Sequence, residues 1–104
     1  MKREIKLSKR AAKTLDNLLI YLENEWSAKV KNNFIRKLDK TLKQIDFLPD
    51  SFPESVEITG LRKCVVTKQT TIFYNYSDNT INIVTIFDNR QNPELLMKES
   101  KMDR

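Results

Sequence analysis

The chain has no histidine, a single cysteine (Cys64), a single glycine (Gly60) and three prolines in 104 residues. Without imidazole there can be no Ser–His or Cys–His dyad, and no histidine to move protons at neutral pH. One thiol without histidine falls short of a structural zinc site, so no metal is expected. A lone glycine excludes a glycine-rich phosphate loop, and no cofactor is expected either. One cysteine allows no intramolecular disulfide and fits a reducing compartment, so the expected setting is cytoplasmic. No apolar run is long enough for a membrane helix, and no apolar segment follows the N-terminal Met-Lys-Arg as in a secretory signal.

What is present suits one soluble domain spanning residues 1–104. Hydrophobic residues make up 39% and charged residues 32%, a globular rather than a disordered balance. The net charge of +5 is uneven. Residues 1–46 hold 12 Lys/Arg against 6 Asp/Glu, whereas residues 47–104 hold 7 against 8. A basic half implies a positive face suited to an acidic partner or a nucleic acid; equally, it can be a solvated surface that keeps the protein soluble.

Periodicity sets the elements. REIKL (3–7) alternates, placing Ile5 and Leu7 on one side of a short strand. Ser8 stands where an N-cap belongs, and Ala11, Leu15, Leu18, Leu19, Leu22 and Trp26 then draw one apolar helical stripe. Ser27 predicts a second cap, followed by a helix burying Val30, Phe34, Leu38, Leu42 and Ile45 that stops before Pro49. With almost no loop between them, the two helices predict an antiparallel hairpin. LPDSFPESVEITG (48–60) reads as a surface loop in which Gly60 takes a conformation that other residues avoid.

Strands follow at about 61–67, 70–76 and 80–87, rich in Thr, Val, Ile, Phe and Tyr. Lys68-Gln69 and the triplet Ser77, Asp78 and Asn79 are short enough for hairpin turns, which predicts an antiparallel meander. Asn92-Pro93 starts a last helical turn, and a tail of about 98–104 is expected to fray. The class is α+β in the order β-α-α-β-β-β, with helices packed on one face of the sheet.

Three polar groupings are candidates for function. Lys29, Arg36, Lys40 and Lys43 fall opposite the apolar stripe of the second helix, as a solvated face or as a contact for phosphate or acidic protein. Arg62, Lys63 and Lys68 surround the first strand of the meander, where they either meet a partner's anion or guard an edge strand against aggregation. FDNRQNP (87–93) crowds Asp88, Asn89, Arg90, Gln91 and Asn92 where the last strand ends, either as turn and cap residues or as a working loop. Cys64, mid-strand, reads as a small core residue.

The element order, the SKRAAKTLDNLLIYL helix, the Gly60-Leu61-Arg62 entry and IFYNY followed by INIVTIFDNRQNPELL resemble the RelE/ParE toxins, from about Ile5 to Leu96. These are the toxic halves of type II toxin–antitoxin pairs, often described as plasmid stabilisation proteins. The resemblance implies a mainly antiparallel four-stranded sheet that the N-terminal strand joins, and a cognate antitoxin that masks the toxic surface. ParE-like members are thought to poison DNA gyrase without a catalytic set. RelE-like members cut messenger RNA on the ribosome, using basic residues on the sheet and an acid–base group near the C-terminus.

The Gly-Leu-Arg to Ile-Phe-Tyr pattern is closer to the ParE branch, although Phe87-Asp88-Asn89-Arg90 replaces its usual histidine-glycine-arginine-arginine ending. The resemblance therefore implies a non-enzymatic gyrase inhibitor whose target-binding residues are Arg62, Lys63, Asn89 and Arg90. The enzymatic alternative, a ribosome-dependent endoribonuclease, would draw on Arg62, Lys68, Tyr74 and Arg90. Aligned on Phe73-Tyr74, it puts Thr71 where RelE-like toxins carry a catalytic arginine. A third reading is a non-toxic, antitoxin-binding regulator.

Overall fold

The computed structural model describes residues 2–89. In chain order these form β1 (Glu4–Leu7), α1 (Lys9–Glu25), α2 (Ala28–Phe47), a 3-10 turn (Pro49–Ser51), β2 (Arg62–Val65), β3 (Thr70–Tyr76) and β4 (Thr80–Asp88). The sheet runs β1-β4-β3-β2, with β1 parallel to β4 and the other pairs antiparallel. The expected order β-α-α-β-β-β and the mainly antiparallel sheet are both observed.

Both predicted serine caps form. Ser8 Oγ accepts from Ala11 N–H at 3.0 Å and donates to the Val84 carbonyl at 2.6 Å, so one hydroxyl starts α1 and docks it on β4. Ser27 Oγ accepts from Val30 N–H at 3.1 Å and starts α2. Ala11, Leu18 and Leu22 of α1 and Phe34 and Ile45 of α2 bury their side chains against Cys64, Ile72, Tyr74, Ile81, Ile83 and Ile86 of the sheet. Each large apolar side chain so buried contributes about 1.5–3 kcal/mol. Among the described residues no helix is long and apolar enough to cross a membrane.

Trp26 departs from expectation, because it does not join the apolar stripe. The Leu22 carbonyl accepts both Trp26 and Ser27 N–H, and α1 ends at Glu25. Trp26 leaves the helical path at φ −123°, ψ −88°, and its side chain is 66% exposed. Leu7 is likewise partly exposed, while Ile5 packs on the core.

The sheet is buried on both sides near its centre, for a local reason. Phe73 pairs with Thr85 and Tyr74 with Ile83, leaving Val84 as an extra residue in β4. This bulge shifts the alternation. Ile81, Ile83 and Ile86 all face the helices, while Val84 and Phe87 join Phe73 on the other side, beneath Ile58 and Leu61.

Segment 48–60 is therefore more than a surface crossing. Ser55 N–H donates to the Leu61 carbonyl at 2.7 Å and Lys63 N–H to the Pro53 carbonyl at 2.9 Å, so residues 53–55 lap the outer edge of β2. Gly60, at φ +88°, makes the turn that brings the chain back. That turn and the lapping explain why β2 starts at Arg62 rather than 61. At its other end, Thr67 Oγ1 accepts from the N–H groups of Gln69 and Thr70 at 3.1 Å, so the Lys68-Gln69 hairpin turn begins early and β2 ends at Val65.

Candidate functional site

The candidate residues gather at two places on the meander, not at one. The register pairs Arg62 with Tyr74 and Lys63 with Phe73, so Arg62 and Lys63 point to opposite faces of the sheet. Lys68 and Asn89 sit at the other end of β3, roughly 13 Å from Tyr74 at the usual rise of a strand.

Arg62 is held by its own chain. Its Nη1 donates to the Phe52 carbonyl at 2.7 Å and to the Asp50 carbonyl at 3.3 Å, and Nη2 lies 3.6 Å from the Asp50 carboxylate. The guanidinium thus clamps the turn after α2 onto the start of β2. Beside it, Tyr74 is fully buried; its hydroxyl donates to the Pro49 carbonyl at 2.7 Å and its ring meets Phe52 edge-on at 6.4 Å. Burial pushes the phenol up to about 12, so it stays protonated at neutral pH.

On the opposite face, Lys63 Nζ donates to Glu57 Oε2 at 2.5 Å. That hydrogen bond holds the Glu57 carboxyl below its ordinary value. Ser55 Oγ accepts the N–H groups of Glu57 and Ile58 at 3.0 and 2.9 Å, which fixes the loop that delivers the carboxylate. Cys64, next along β2 after Lys63, is buried as expected, and desolvation raises its thiol to about 11.

At the far end, Asn89 N–H donates to the Gln69 carbonyl at 2.6 Å and Asn89 Nδ2 to the Lys68 carbonyl at 3.3 Å. The Lys68 side chain is exposed, and no ion pair is formed with it among the described residues. Asp88 is not a surface group: it is buried and accepts from Thr70 Oγ1 at 2.6 Å. Arg90, Gln91 and Asn92, with the turn expected at Asn92-Pro93 and the tail, lie outside the described residues.

The basic face of α2 is present as the spacing predicts, with Lys29, Arg36, Lys40 and Lys43 exposed. Arg36 bonds Asn33 and Lys43 pairs with Asp39 at 3.1 Å, both within the helix. Among the described residues no group of three or more Cys, Asp or Glu side chains is placed to hold a metal ion.

Sequence reasoning missed two features of this surface. One is the set of intramolecular partners of Arg62 and Lys63, which come from a loop whose path no periodicity reports. The other is a cleft of about 710 Å³ beside Tyr76, lined by Glu54, Val56, Leu61 and Asp78 among others. The solitary glycine was its only signal.

A family model described as the ParE toxin of the type II toxin–antitoxin system parDE matches residues 5–93. No curated protein matches the chain by sequence. Among solved structures, the chromosomal ParDE system from P. aeruginosa superposes with a TM-score of 0.69 at 13% identity, over 84% of this chain and 96% of that one. The E. coli DinJ-YafQ toxin–antitoxin complex gives 0.59 at 12% identity, over 89% and 99%. The YoeB dimer from Staphylococcus aureus gives 0.60 at 18% identity, over 84% and 97%. At these identities the structures report a shared fold.

Proposed function

The chain belongs to the ParE toxin family of type II toxin–antitoxin systems, and we propose that it is a non-enzymatic toxin that inhibits DNA gyrase by binding and is neutralised by a cognate antitoxin. The observation that carries this reading is the Tyr74 hydroxyl, buried and committed to the Pro49 carbonyl. Cleaving RNA through the 2′-hydroxyl takes one group to remove a proton and another to return it, both within reach of the phosphate. Tyr74 is sealed off from such a substrate. Arg62 and Lys63 are engaged by Asp50 and Glu57, and the position aligned with a RelE-like catalytic arginine is the neutral Thr71. This arrangement suits a surface that binds rather than one that cuts.

An antitoxin partner is supported by the similar folds solved as the ParDE system and as the DinJ-YafQ complex. The exposed cations of α2 offer it long-range attraction if it is acidic. Arg62, Lys63, Asn89 and Arg90 remain the proposed contacts to the target, with the setting cytoplasmic. The rival endoribonuclease reading, through Arg62, Lys68, Tyr74 and Arg90, draws its support from Lys68, which is exposed beside Asn89 and close in sequence to Arg90.

The test is a supercoiling reaction with purified gyrase and relaxed plasmid. Added toxin should block supercoiling or trap cleaved plasmid, and prior addition of antitoxin should restore the reaction. Unimpeded supercoiling, together with cleavage of ribosome-bound message, would establish the rival.

A further inference from the structure

The ladder between β2 and β3 stops at Arg62–Tyr74, two residues short of the end of β3. Val66 N–H donates to the Thr70 carbonyl at 2.9 Å, and antiparallel alternation makes Cys64–Ile72 and Arg62–Tyr74 the next hydrogen-bonded pairs. The pair after these would be Gly60 with Tyr76. It does not form, because Gly60 turns away at φ +88° and Leu61 bonds Ser55 and Ile58 instead.

On the other side of β3, Ser77 N–H donates to the Thr80 carbonyl at 2.9 Å. The alternation from there makes Tyr76–Ile81 a pair that exchanges no bonds. The Tyr76 N–H and C=O therefore point away from β4 and into the cleft of about 710 Å³, and no main-chain bond from Gly60 or Leu61 reaches them.

The walls of this cleft are specific. Val56 stands at its rim, 94% exposed. Glu54 and Asp78 flank it, both exposed and without an ion pair among the described residues, while Arg62, the cation that also lines it, is already engaged by Asp50. Arg3 steadies the adjoining turn: its Nε donates to the Ser77 carbonyl at 2.9 Å, and its guanidinium lies 5.7 Å from the Tyr76 ring centroid. Two carboxylates outside any ion pair, an exposed valine and a strand edge left unpaired among the described residues together define a receptor for an extended peptide that carries positive charge.

We propose that this cleft receives an extended segment of the cognate antitoxin bearing a basic side chain, laid antiparallel to β3 in line with β2. Its main chain pairs with Tyr76, and its cation meets Glu54 or Asp78. The inference rests on the antitoxin reading above and adds the place and the chemistry of one contact. It also separates two surfaces: the cations of α2 favour acidic parts of the partner, and this cleft favours a basic one.

The test uses the full chain, alone and in complex with the antitoxin candidate encoded beside its gene, with amide exchange read residue by residue by NMR. The Tyr76 amide should exchange freely in the toxin alone and on the order of 100-fold more slowly in the complex, as for an amide taken into a ladder. The double substitution E54K/D78K, at exposed positions outside any ion pair among the described residues, should weaken the complex by about 10-fold or more through like-charge contact. A complex that forms with Tyr76 exchange unchanged overturns the strand pairing, even if the charge reversal weakens binding. No complex at all overturns the antitoxin reading itself and removes the occupant with it.

Discussion

Thr70 donates its hydroxyl proton to Asp88 Oδ2 at 2.6 Å across the first register pair of β3 and β4, and both side chains are buried. The aspartate of the FDNRQNP stretch is thus a strand fastener. It ties the end of β4 to the start of β3, and Asn89 continues the work by bonding the carbonyls of Lys68 and Gln69.

Removing the hydroxyl should cost stability and leave binding intact. Thr70→Val strips Asp88 of a buried donor, for which a loss of about 1–3 kcal/mol is expected. Urea denaturation measures it. Antitoxin affinity, measured on the fraction that folds, should stay at the wild-type value.

Tyr74→Phe separates a structural phenol from a chemical one. The variant leaves the Pro49 carbonyl without its donor and should lose about 1–2 kcal/mol of stability, while folded protein remains as toxic as the parent. The phenol lies near 12 when folded and at the ordinary 10 when unfolded, so the folded state holds its proton more tightly. That stabilisation is complete below pH 10 and is lost as the pH rises from 10 towards 12. An ultraviolet titration should show one of the three tyrosines ionising last, and Tyr74→Phe should abolish that late step.

The Lys63–Glu57 pair predicts behaviour at the acid end. The hydrogen bond from Lys63 lowers Glu57 below 4.5, so the unfolded chain binds the proton more readily than the folded one. The contribution is fully present above pH 4.5 and is lost as the pH falls through the folded value. Denaturation curves through that range should be less pH-dependent for Glu57→Gln than for the parent. For a pair this accessible, a double-mutant cycle with Lys63→Met should return about 1 kcal/mol or less.

Cys64 should be silent until the protein opens. It is buried, and desolvation carries its thiol to about 11, which leaves almost no thiolate at neutral pH. Alkylation by a small thiol reagent should be slow, and it should accelerate with added denaturant in step with unfolding. A fast reaction in native buffer would contradict the packing of β2 against α1 and α2.

Much of this fold was legible in the residues. Ser8 and Ser27 announced both helix starts, the apolar spacing gave the buried stripes, and Gly60 gave the left-handed turn before β2. What periodicity could not supply was long-range pairing. Nothing in REIKL says that β1 lies parallel to β4; the family resemblance implied only that the N-terminal strand joins the sheet, and its partner and direction come from the structure. The Val84 bulge left only a faint trace, the slip from Ile81 and Ile83 to Ile86. Arg62 and Lys63 looked like free cations because their partners, Asp50, Phe52 and Glu57, sit in a loop fixed by hydrogen bonds of its own. Trp26 misled for a local reason: the stripe's spacing continued one residue past the point where the helix ended.

The most direct test of the central claim is pulse labelling of DNA and protein synthesis in cells after this chain is induced without its antitoxin. The account predicts that thymidine incorporation falls first while methionine incorporation continues, as expected when gyrase is the target. An early fall in methionine incorporation, with DNA synthesis initially spared, would contradict it and return Lys68 and Arg90 to consideration as parts of a ribonuclease.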